Sequence, residues 1–358
     1  MSTVAMGFLL GWRLAKGAVC AGMERSNKQK KSCRVMPVRQ RGWFLGSRPW
    51  RIHAAALHYF DAVRRAGSIR AAARRLNVAS SAVNRQVLSL EAEVGMPLFE
   101  RLPAGLKLTA AGEILAHHVI TVMRDAERAE SRLDALQGLR AGSVELVTLE
   151  GLCHRIVPLA IGALAAHAPR VNVGVDILAT EAIPDAVIGG DAHLGLAFEV
   201  RPRPELRRLA VARYRLGAVV AASSPLAGRG SVTLNDCRDY PAVLPKRNFA
   251  NRNQLHPVMF EAGLSDRGHY EAGSIELIKE LVLRGLGVAF MTRVGLETEL
   301  DAGRLVHVPL RRGRGAVFSE LGLFARADTA LPFAAEVFAN DVRDAMAASD
   351  EADVPGAG

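Results

Sequence analysis

A run of small polar side chains with one arginine, at helical spacing, is the feature of this chain best suited to chemistry. Residues 68–91 have the pattern of two short helices joined by a tight turn at residues 77–79. The outer face of the second helix is predicted to carry Ser80, Ser81, Asn84, Arg85 and Ser89. Such side chains suit the base edges and phosphates of a DNA major groove. A helical subdomain whose polar face is only solvated is the alternative interpretation.

Apolar faces on the surrounding helices must hold this surface in position. Ser68 is placed to cap the first helix, and the spacing i, i+3, i+4, i+7 predicts an apolar face of Ile69, Ala72, Ala73 and Leu76. The second helix is predicted to bury Ala82, Val83, Val87 and Leu90. An earlier amphipathic helix ends at Gly67, which is a common helix stop, and presents Leu57, Phe60, Val63 and Ala66.

A small hairpin, or wing, is predicted after the two helices. Residues 95–101 are followed by the segment 103–109, which begins with Pro103 and has the pattern of the hairpin. Arg101 and Lys107 lie at the edges of this hairpin, where they are candidates for contact with DNA phosphates. Thr109 is placed to cap the next helix.

This order of elements resembles the LysR-type transcriptional regulators. The residues that carry the resemblance are Tyr59-Phe60-Asp61-Ala62-Val63, Gly67-Ser68, Ala72-Ala73, Leu76-Asn77-Val78, Arg85-Gln86, Leu90-Glu91, Gly95, Pro97-Leu98-Phe99-Glu100-Arg101 and Leu108-Thr109-Ala110-Ala111-Gly112. The resemblance implies an α+β multidomain protein with an N-terminal winged helix-turn-helix, a long linker/dimerisation helix and a C-terminal α/β effector domain. That last domain would have two lobes and a fold like that of periplasmic binding proteins.

The chain departs from the family pattern at the start of the second motif helix. It has Ala79-Ser80-Ser81 where many members have Ser-Gln-Pro or Ser-Gln-Ser. Because alanine accepts no side-chain hydrogen bond, Ser80 is expected to cap this helix instead. Arg70 stands where relatives often have a threonine that contacts phosphate. Asn84 suits adenine, and Arg85 suits guanine or phosphate, so the operator is expected to differ from those of other members.

The helix after the wing, predicted within residues 110–140, carries a heptad pattern. Its apolar positions are spaced 4-3-4-3-4-3 and comprise Leu115, Val119, Val122, Ala126, Ala129, Leu133 and Leu136. This spacing favours a two-stranded seam between copies of the chain, because a period of 3.5 residues keeps one face toward a partner helix. Packing on its own domain is the alternative. A dimer would place two recognition helices on the half-sites of an interrupted inverted repeat.

Positive charge is concentrated at the N-terminus. Residues 1–51 hold 11 Lys+Arg and one Glu, and the remaining residues hold 35 of each sign. We interpret residues 1–50 as a disordered basic extension, with an extra DNA-contacting arm as the alternative. Residues 52–109, the predicted DNA-binding domain, have 8 basic and 4 acidic residues. This local excess favours contact with nucleic acid.

From residue 143 the pattern changes to short apolar strands that alternate with helices, which predicts an α/β fold. The resemblance places lobe I at residues 143–212 and 307–345 and lobe II at residues 213–306. Residues 346–358, an acidic and alanine-rich tail, are expected to be disordered.

A ligand is expected between the lobes, where strand ends and helix N-termini meet. The candidate residues are Glu150, Gly151, Leu152, Cys153, Phe198, Lys246, Arg247 and Ser274. Lys246 and Arg247 weakly favour an anionic effector, whereas Glu150 argues against one. Each residue could instead be a helix cap or part of a surface loop. Cys153 is interpreted as an ordinary cleft residue, with oxidant sensing as the alternative.

The sequence has no spacing typical of metal ligands, catalytic pairs or dinucleotide binding, so we predict neither an enzyme nor a metal or other cofactor. It predicts a cytoplasmic, sequence-specific transcriptional regulator that responds to a small molecule. The expected partners are double-stranded DNA, an effector and further copies of the chain as a dimer or tetramer, with RNA polymerase as another candidate and no membrane. An effector-independent DNA-binding protein and a cytoplasmic solute-binding protein are the alternatives.

Overall fold

The computed structural model describes residues 55–103, 105–136, 141–246, 259, 268–313 and 315–350. The predicted N-terminal extension, Arg247 and the last part of the predicted tail lie outside these ranges. Among the helices described, none is both long enough and apolar enough to cross a membrane.

The N-terminal domain consists of three helices and a hairpin. Its elements are α1 (Ala55–Ala66), α2 (Ile69–Leu76), α3 (Ser80–Val94), β1 (Phe99–Leu102) and β2 (Gly105–Leu108). The Ser68 hydroxyl accepts a hydrogen bond from the Ala71 N–H at 3.1 Å, which confirms the predicted cap of α2. Asn77 ends that helix in the left-handed conformation, with φ of 55°, which asparagine tolerates better than most residues.

Burial in this domain follows the predicted period, except that Ala82 is only half-buried and Leu76 is exposed. Phe60, Val63, Ala72, Val83 and Val87 are among the residues that form its core. Leu76, which was predicted to share the apolar face of α2, is 37% exposed. It is the last residue of that helix, and the chain turns away immediately after it, so few neighbours cover its side chain.

The long helix α4 (Ala110–Leu136) joins the N-terminal domain to the rest of the chain. Its start is capped as predicted, because the Thr109 hydroxyl accepts the Gly112 N–H at 3.0 Å. Its first turns pack on the DNA-binding domain itself. Val119 is fully buried beside Phe60 and Leu98, and Leu115 packs against the same cluster.

The elements of lobe I are β3 (Ala141–Thr148), a short 3₁₀ turn (Glu150–Cys153), α5 (Ile156–His167), β4 (Arg170–Ile177), α6 (Ile183–Ile188), β5 (Leu194–Phe198), β6 (Leu206–Arg215), β14 (Phe318–Arg326) and a last helix (Phe333–Asp350). The strands form a five-stranded sheet in the order β4-β3-β5-β14-β6. Strands β3, β4 and β5 are parallel, and β14 runs antiparallel to β5 and β6.

The described elements of lobe II are β7 (Gly217–Ala221), a 3₁₀ turn (Asn235–Cys237), β8 (Ala242–Pro245), β9 (Tyr270–Ala272), α7 (Ile275–Leu283), β10 (Val288–Met291), α8 (Glu297–Asp301) and β11 (Leu305–Pro309). The strands form a second five-stranded sheet in the order β11-β7-β10-β8-β9. Strands β8, β9 and β10 are parallel, and β7 runs antiparallel to β10 and β11. The small hairpin β12 (Arg311–Arg312) and β13 (Gly315–Ala316) follows.

The two crossings between the lobes lie a few residues later than predicted. Strand β6 pairs with β14 as far as Arg215, so lobe I extends past residue 212. Strand β11 pairs with β7 as far as Pro309, so lobe II extends past residue 306. The connecting segments run side by side: the Leu216 N–H donates to the Val317 carbonyl at 2.8 Å, and the Leu310 N–H donates to the Leu216 carbonyl at 2.9 Å.

The last helix, α9 (Phe333–Asp350), extends into the predicted disordered tail and corrects its boundary. Met346 is 1% exposed and belongs to the core of lobe I. The carbonyl of the same residue accepts a hydrogen bond from the buried Tyr214 hydroxyl at 3.1 Å. Burial of an apolar face against the sheet therefore continues the helix five residues beyond 345.

Candidate nucleic-acid interface and interlobe cleft

Helix α3 presents the predicted polar face on the outside of the N-terminal domain. Ser80, Ser81 and Arg85 are exposed, and Asn84 is half-buried. Val83, Val87 and Leu90 on the opposite face are buried against the other helices. The buried face fixes the helix, and the polar side chains are left facing outward at the surface.

The expected capping role of Ser80 is wrong. Ala79 is the N-cap of α3, with extended backbone and no side-chain hydrogen bond. Its carbonyl already accepts the N–H groups of Ala82 and Val83, at 3.0 and 3.3 Å, so the helix begins one residue earlier than serine capping would require. Ser80 consequently lies inside the first turn, with its side chain exposed.

The predicted wing is present and is anchored on both sides. Strands β1 and β2 are antiparallel, and the Arg101 and Lys107 side chains on them are exposed. The Leu106 N–H donates to the Gly67 carbonyl at 2.8 Å, which ties the wing to the chain just before α2. Arg70 on that helix is also exposed. Every predicted DNA-contacting side chain except Ser68 and Asn84 is therefore exposed.

Glu91, one of the residues that carry the family resemblance, holds the wing to α3. One oxygen of its carboxylate accepts the backbone N–H groups of Leu98 and Phe99, at 2.7 and 3.2 Å. DNA phosphates repel a carboxylate, so an acid on a helix predicted to contact DNA indicates a structural role for that acid. The sequence signal was the absence of any other acid on that helix before it.

The predicted dimer seam on α4 divides into two parts. Val119 has no exposed surface in the single chain, and Leu115 packs on the domain core, so both are corrected to intrachain positions. Val122 and Ala126 are half-buried, whereas Ala129 and Leu133 are exposed. The side chain of Leu136 lies outside the part of the chain that the structure describes.

The middle of α4 also contacts lobe I through a buried arginine. The Arg124 side chain is 9% exposed. Its Nη2 donates to the Gly190 carbonyl at 2.6 Å, and its Nη1 donates to Glu127 at 2.8 Å and lies against His193 Nε2. The Glu145 N–H donates to Nδ1 of His193 at 2.9 Å.

The same turn of lobe I also contacts α1. Arg64 donates to the Gly189 carbonyl at 2.8 Å, and Arg65 donates to the Gly190 carbonyl at 3.0 Å. Asp61 accepts hydrogen bonds from both arginines. Sequence reasoning missed this junction, because its two sides are 125 residues apart and each side alone has the pattern of an ordinary charged helix or a glycine turn.

Electrostatics stabilise the charged form of the carboxylate in this junction. Desolvation opposes ionisation of Glu127, but hydrogen bonds from His193 and Arg124, together with the charge of Arg124, hold the pKa of Glu127 at about 2. Burial lowers the pKa of His193 from its usual value, and the charge of Arg124 acts in the same direction. The imidazole is therefore neutral at pH 7 and serves as an acceptor for the strand backbone.

A cleft lies between the lobes and opens to solvent. Ends of β3, β4, β5 and β10 meet there. Its lining residues are Leu149, Glu150, Gly151, Leu152, Ile177, Leu178, Ala179, Thr180, Phe198, Gly273, Ile275, Met291, Thr292 and Val294. Like small-molecule sites, this lining is mostly apolar with a few polar groups.

Some of the predicted cleft residues line the cleft, and others lie outside its lining. Glu150, Gly151, Leu152 and Phe198 line the cleft, and Ser274 contacts Glu150 at its edge. Cys153 does not line it; the Cys153 Sγ donates to the Leu149 carbonyl at 3.7 Å. Burial and the charge of Glu150 raise the pKa of this thiol, which disfavours a reactive thiolate. Lys246 is exposed and outside the lining.

Two threonines in the lining were missed by sequence reasoning. Thr180 follows β4, and Thr292 follows β10. Their exposed fractions are 8% and 2%. The Thr180 hydroxyl has no hydrogen-bond partner among the described residues. Position after a strand was the available signal, since strand ends gather at such clefts.

Comparison with known proteins places both halves of the chain in one family. The family model described as LysR substrate binding domain matches residues 137–347, and the model described as bacterial regulatory helix-turn-helix protein, lysR family, matches residues 54–113. The HTH-type transcriptional regulator CbbR of Rhodospirillum rubrum is 31% identical over 254 residues, which cover 71% of this chain and 84% of CbbR.

Solved structures show the same fold. A full-length OxyR variant from Pseudomonas aeruginosa has a TM-score of 0.64 at 20% identity, covering 81% of this chain and 95% of that one. ArgP from Mycobacterium tuberculosis has a TM-score of 0.62 at 21% identity, with coverage of 82% and 97%. Together with the family models and CbbR, these similarities confirm the predicted architecture. The chain belongs to the LysR family of DNA-binding transcriptional regulators and consists of a helix-turn-helix domain and an effector-binding domain.

Proposed function

We propose that this regulator reads its operator with Ser80, Ser81, Asn84 and Arg85 of α3 and responds to a small molecule held between the lobes. The observation that carries the proposal is the exposed polar face of α3, fixed by a buried apolar face and flanked by the wing. Arg70, Arg101 and Lys107 would contact phosphates, and Ser68 would position α2. We place the protein in the cytoplasm, where its DNA is.

Dimerisation is proposed through the second half of α4. In the single chain Val122 and Ala126 are half-buried, and Ala129 and Leu133 are exposed. Together with Leu136 they continue the heptad toward the C-terminal end of the helix. Small residues at the centre allow two helices to approach closely, and a pair of recognition helices would then bind an interrupted inverted repeat.

The effector is proposed to bind among the lining of the cleft. Phe198, Leu152 and Gly151 supply apolar surface, and Thr180 and Thr292 supply hydroxyl groups. A ligand that contacts both lobes changes DNA binding only if it favours one arrangement of lobes and DNA-binding domains over another.

Substitution Arg85→Ala is expected to weaken operator binding about tenfold and to relax the preference for one base pair. The arginine contacts a base edge or a phosphate in this proposal, and alanine supplies neither hydrogen bond. Footprinting of residues 52–358 on the DNA upstream of its gene, over a salt series, measures both effects. Two protected half-sites are expected for the unsubstituted chain.

Arg238→Ala is the matched control, because this arginine is equally exposed but lies in lobe II. It should leave the footprint unchanged. Equal losses for Arg85→Ala and Arg238→Ala would contradict the assignment of α3 as the reading helix. Salt-sensitive binding of the unsubstituted chain without sequence preference would instead identify an architectural DNA-binding protein.

A further inference from the structure

A carboxylate of lobe I occupies the first turn of a helix in lobe II. Glu150 Oε1 accepts a hydrogen bond from the Ser274 hydroxyl at 2.9 Å, and Oε2 accepts the Ile275 N–H at 2.9 Å. Ser274 is the N-cap of α7, yet its own side chain makes no capping bond and donates to the glutamate instead. Both oxygens of the carboxylate are therefore bound by the start of one helix.

The start of a helix is a favourable position for an anion, because free N–H groups and the helix dipole converge there. In α7 this position faces the interlobe cleft, since Gly273 and Ile275 are part of the lining. A carboxylate-bearing ligand would make its strongest contacts there. The chain's own glutamate already supplies the same group in the same place.

Neighbouring contacts hold Glu150 in this position. His154 Nε2 lies 2.6 Å from the Glu276 carboxylate, which joins the same two segments one turn further on. The backbone of Gly151 also approaches Gly295 of lobe II so closely that a Cβ at Gly295 would lie 3.0 Å from the Gly151 Cα. The segment of residues 150–154 is thus fastened to lobe II at three points.

The rest of the cleft offers no compensation for a negative ligand. Among the described lining residues there is no lysine, arginine or histidine. Most of the surface is apolar, and the Thr180 hydroxyl, in a residue only 8% exposed, lacks a partner. A buried hydroxyl without a partner costs free energy, so a ligand that hydrogen-bonds to it gains affinity.

We propose that Glu150 is a built-in substitute for an anionic ligand, so that the cleft selects uncharged, mainly apolar molecules with a hydrogen-bonding group for Thr180 and excludes carboxylates. This inference rests on the proposed function, in which the cleft holds the effector. It replaces the sequence-based expectation of an anionic effector, which depended on Lys246 and Arg247.

The test removes the glutamate side chain and returns its carboxylate as a separate molecule. Glu150→Gly leaves a space that propionate matches in size and charge. In the full chain we expect Glu150→Gly to lower the melting temperature by about 2–4 °C. Propionate should restore most of this loss and bind the variant at least about tenfold more tightly than the unsubstituted chain.

Matched controls separate this effect from a general effect of salt. Propionamide, which has no charge, should not restore Glu150→Gly. Glu199→Gly removes another carboxylate that accepts a backbone N–H, that of Glu320 at 2.7 Å, but both of these residues belong to lobe I. Its melting temperature should not respond to propionate. Equal responses of all three proteins, or none in Glu150→Gly, would overturn the proposal.

Glu150→Gln provides a second test if the glycine variant does not fold. Glutamine keeps the volume and one acceptor but not the charge, so a lower melting temperature without any response to propionate is expected. A melting temperature equal to that of the unsubstituted chain would show that the site does not need an anion. These readouts involve neither operator nor effector, whereas the proposed function fails if the unsubstituted chain protects no DNA.

Discussion

Substitution Arg124→Met is expected to lower the free energy of unfolding by about 2–3 kcal/mol. The arginine side chain is 9% exposed and donates charge-assisted hydrogen bonds to Glu127 and to the Gly190 carbonyl. Methionine retains the length of the apolar stem but neither bond. The loss is measured by urea unfolding of the full chain, with the midpoint and slope fitted together.

Arg128→Met is the control on the same helix. Arg128 forms an ion pair with Asp125 at 3.1 Å within α4, and these two side chains are 31% and 53% exposed. Exposed pairs contribute little, so this variant should stay within about 0.5 kcal/mol of the unsubstituted chain. A similar loss in both variants would mean that the buried contacts to lobe I add nothing beyond the general effect of losing an arginine.

Arg124 lies where one turn of lobe I contacts both α4 and the DNA-binding domain. The turn of lobe I at residues 189–193 receives hydrogen bonds from α4 and, through Arg64 and Arg65, from α1 of the DNA-binding domain. A change in lobe I that moved this turn would therefore act on both helices. Arg124→Met should consequently also weaken the dependence of operator affinity on effector, if the lobes communicate through this contact.

Local rules predicted most of the elements that carry these sites. Residue type and spacing were sufficient for the Ser68 cap, the buried face of α3 and the alternating strands, because each depends on neighbours close in sequence. Errors arose where a distant segment decides burial. Val119 fits a dimer seam by period, but Phe60 and Leu98 of its own domain cover it. Met346 lies in an alanine-rich tail, yet the core of lobe I buries it.

In the cleft, too, features that depend on neighbouring residues could be predicted, whereas contacts with distant residues could not. Strand ends and helix starts indicated its position, so Glu150 and Phe198 could be named from the sequence. The partner of Glu150 could not, because Ser274 is 124 residues away. From the sequence alone, the negative charge of Glu150 argued against an anionic effector. The contact with Ser274 adds that the Glu150 carboxylate occupies the position that an anion would take.

Acid is expected to destabilise lobe II through His307, by about 2–3 kcal/mol as the pH falls from 6.5 to about 4. His307 lies on β11, and its Nε2 donates to the Met291 carbonyl of β10 at 3.1 Å. Burial, with a smaller effect from the charge of Arg293, lowers the pKa of this imidazole from 6.5 to about 4. The unfolded chain therefore takes up the proton first, and stability is lost in that pH window.

His307→Gln isolates this effect from the carboxylates that also titrate in acid. Glutamine can donate to the Met291 carbonyl but does not titrate, so its free energy of unfolding should fall less steeply between pH 6.5 and 4 than that of the unsubstituted chain. His118→Gln, at an exposed position of α4, should leave the slope unchanged. Parallel curves for His307→Gln and the unsubstituted chain would assign the acid sensitivity to other groups. Because β10 ends at Met291, beside the cleft, a slope that does depend on His307 would also make the effector-binding lobe less stable in acid.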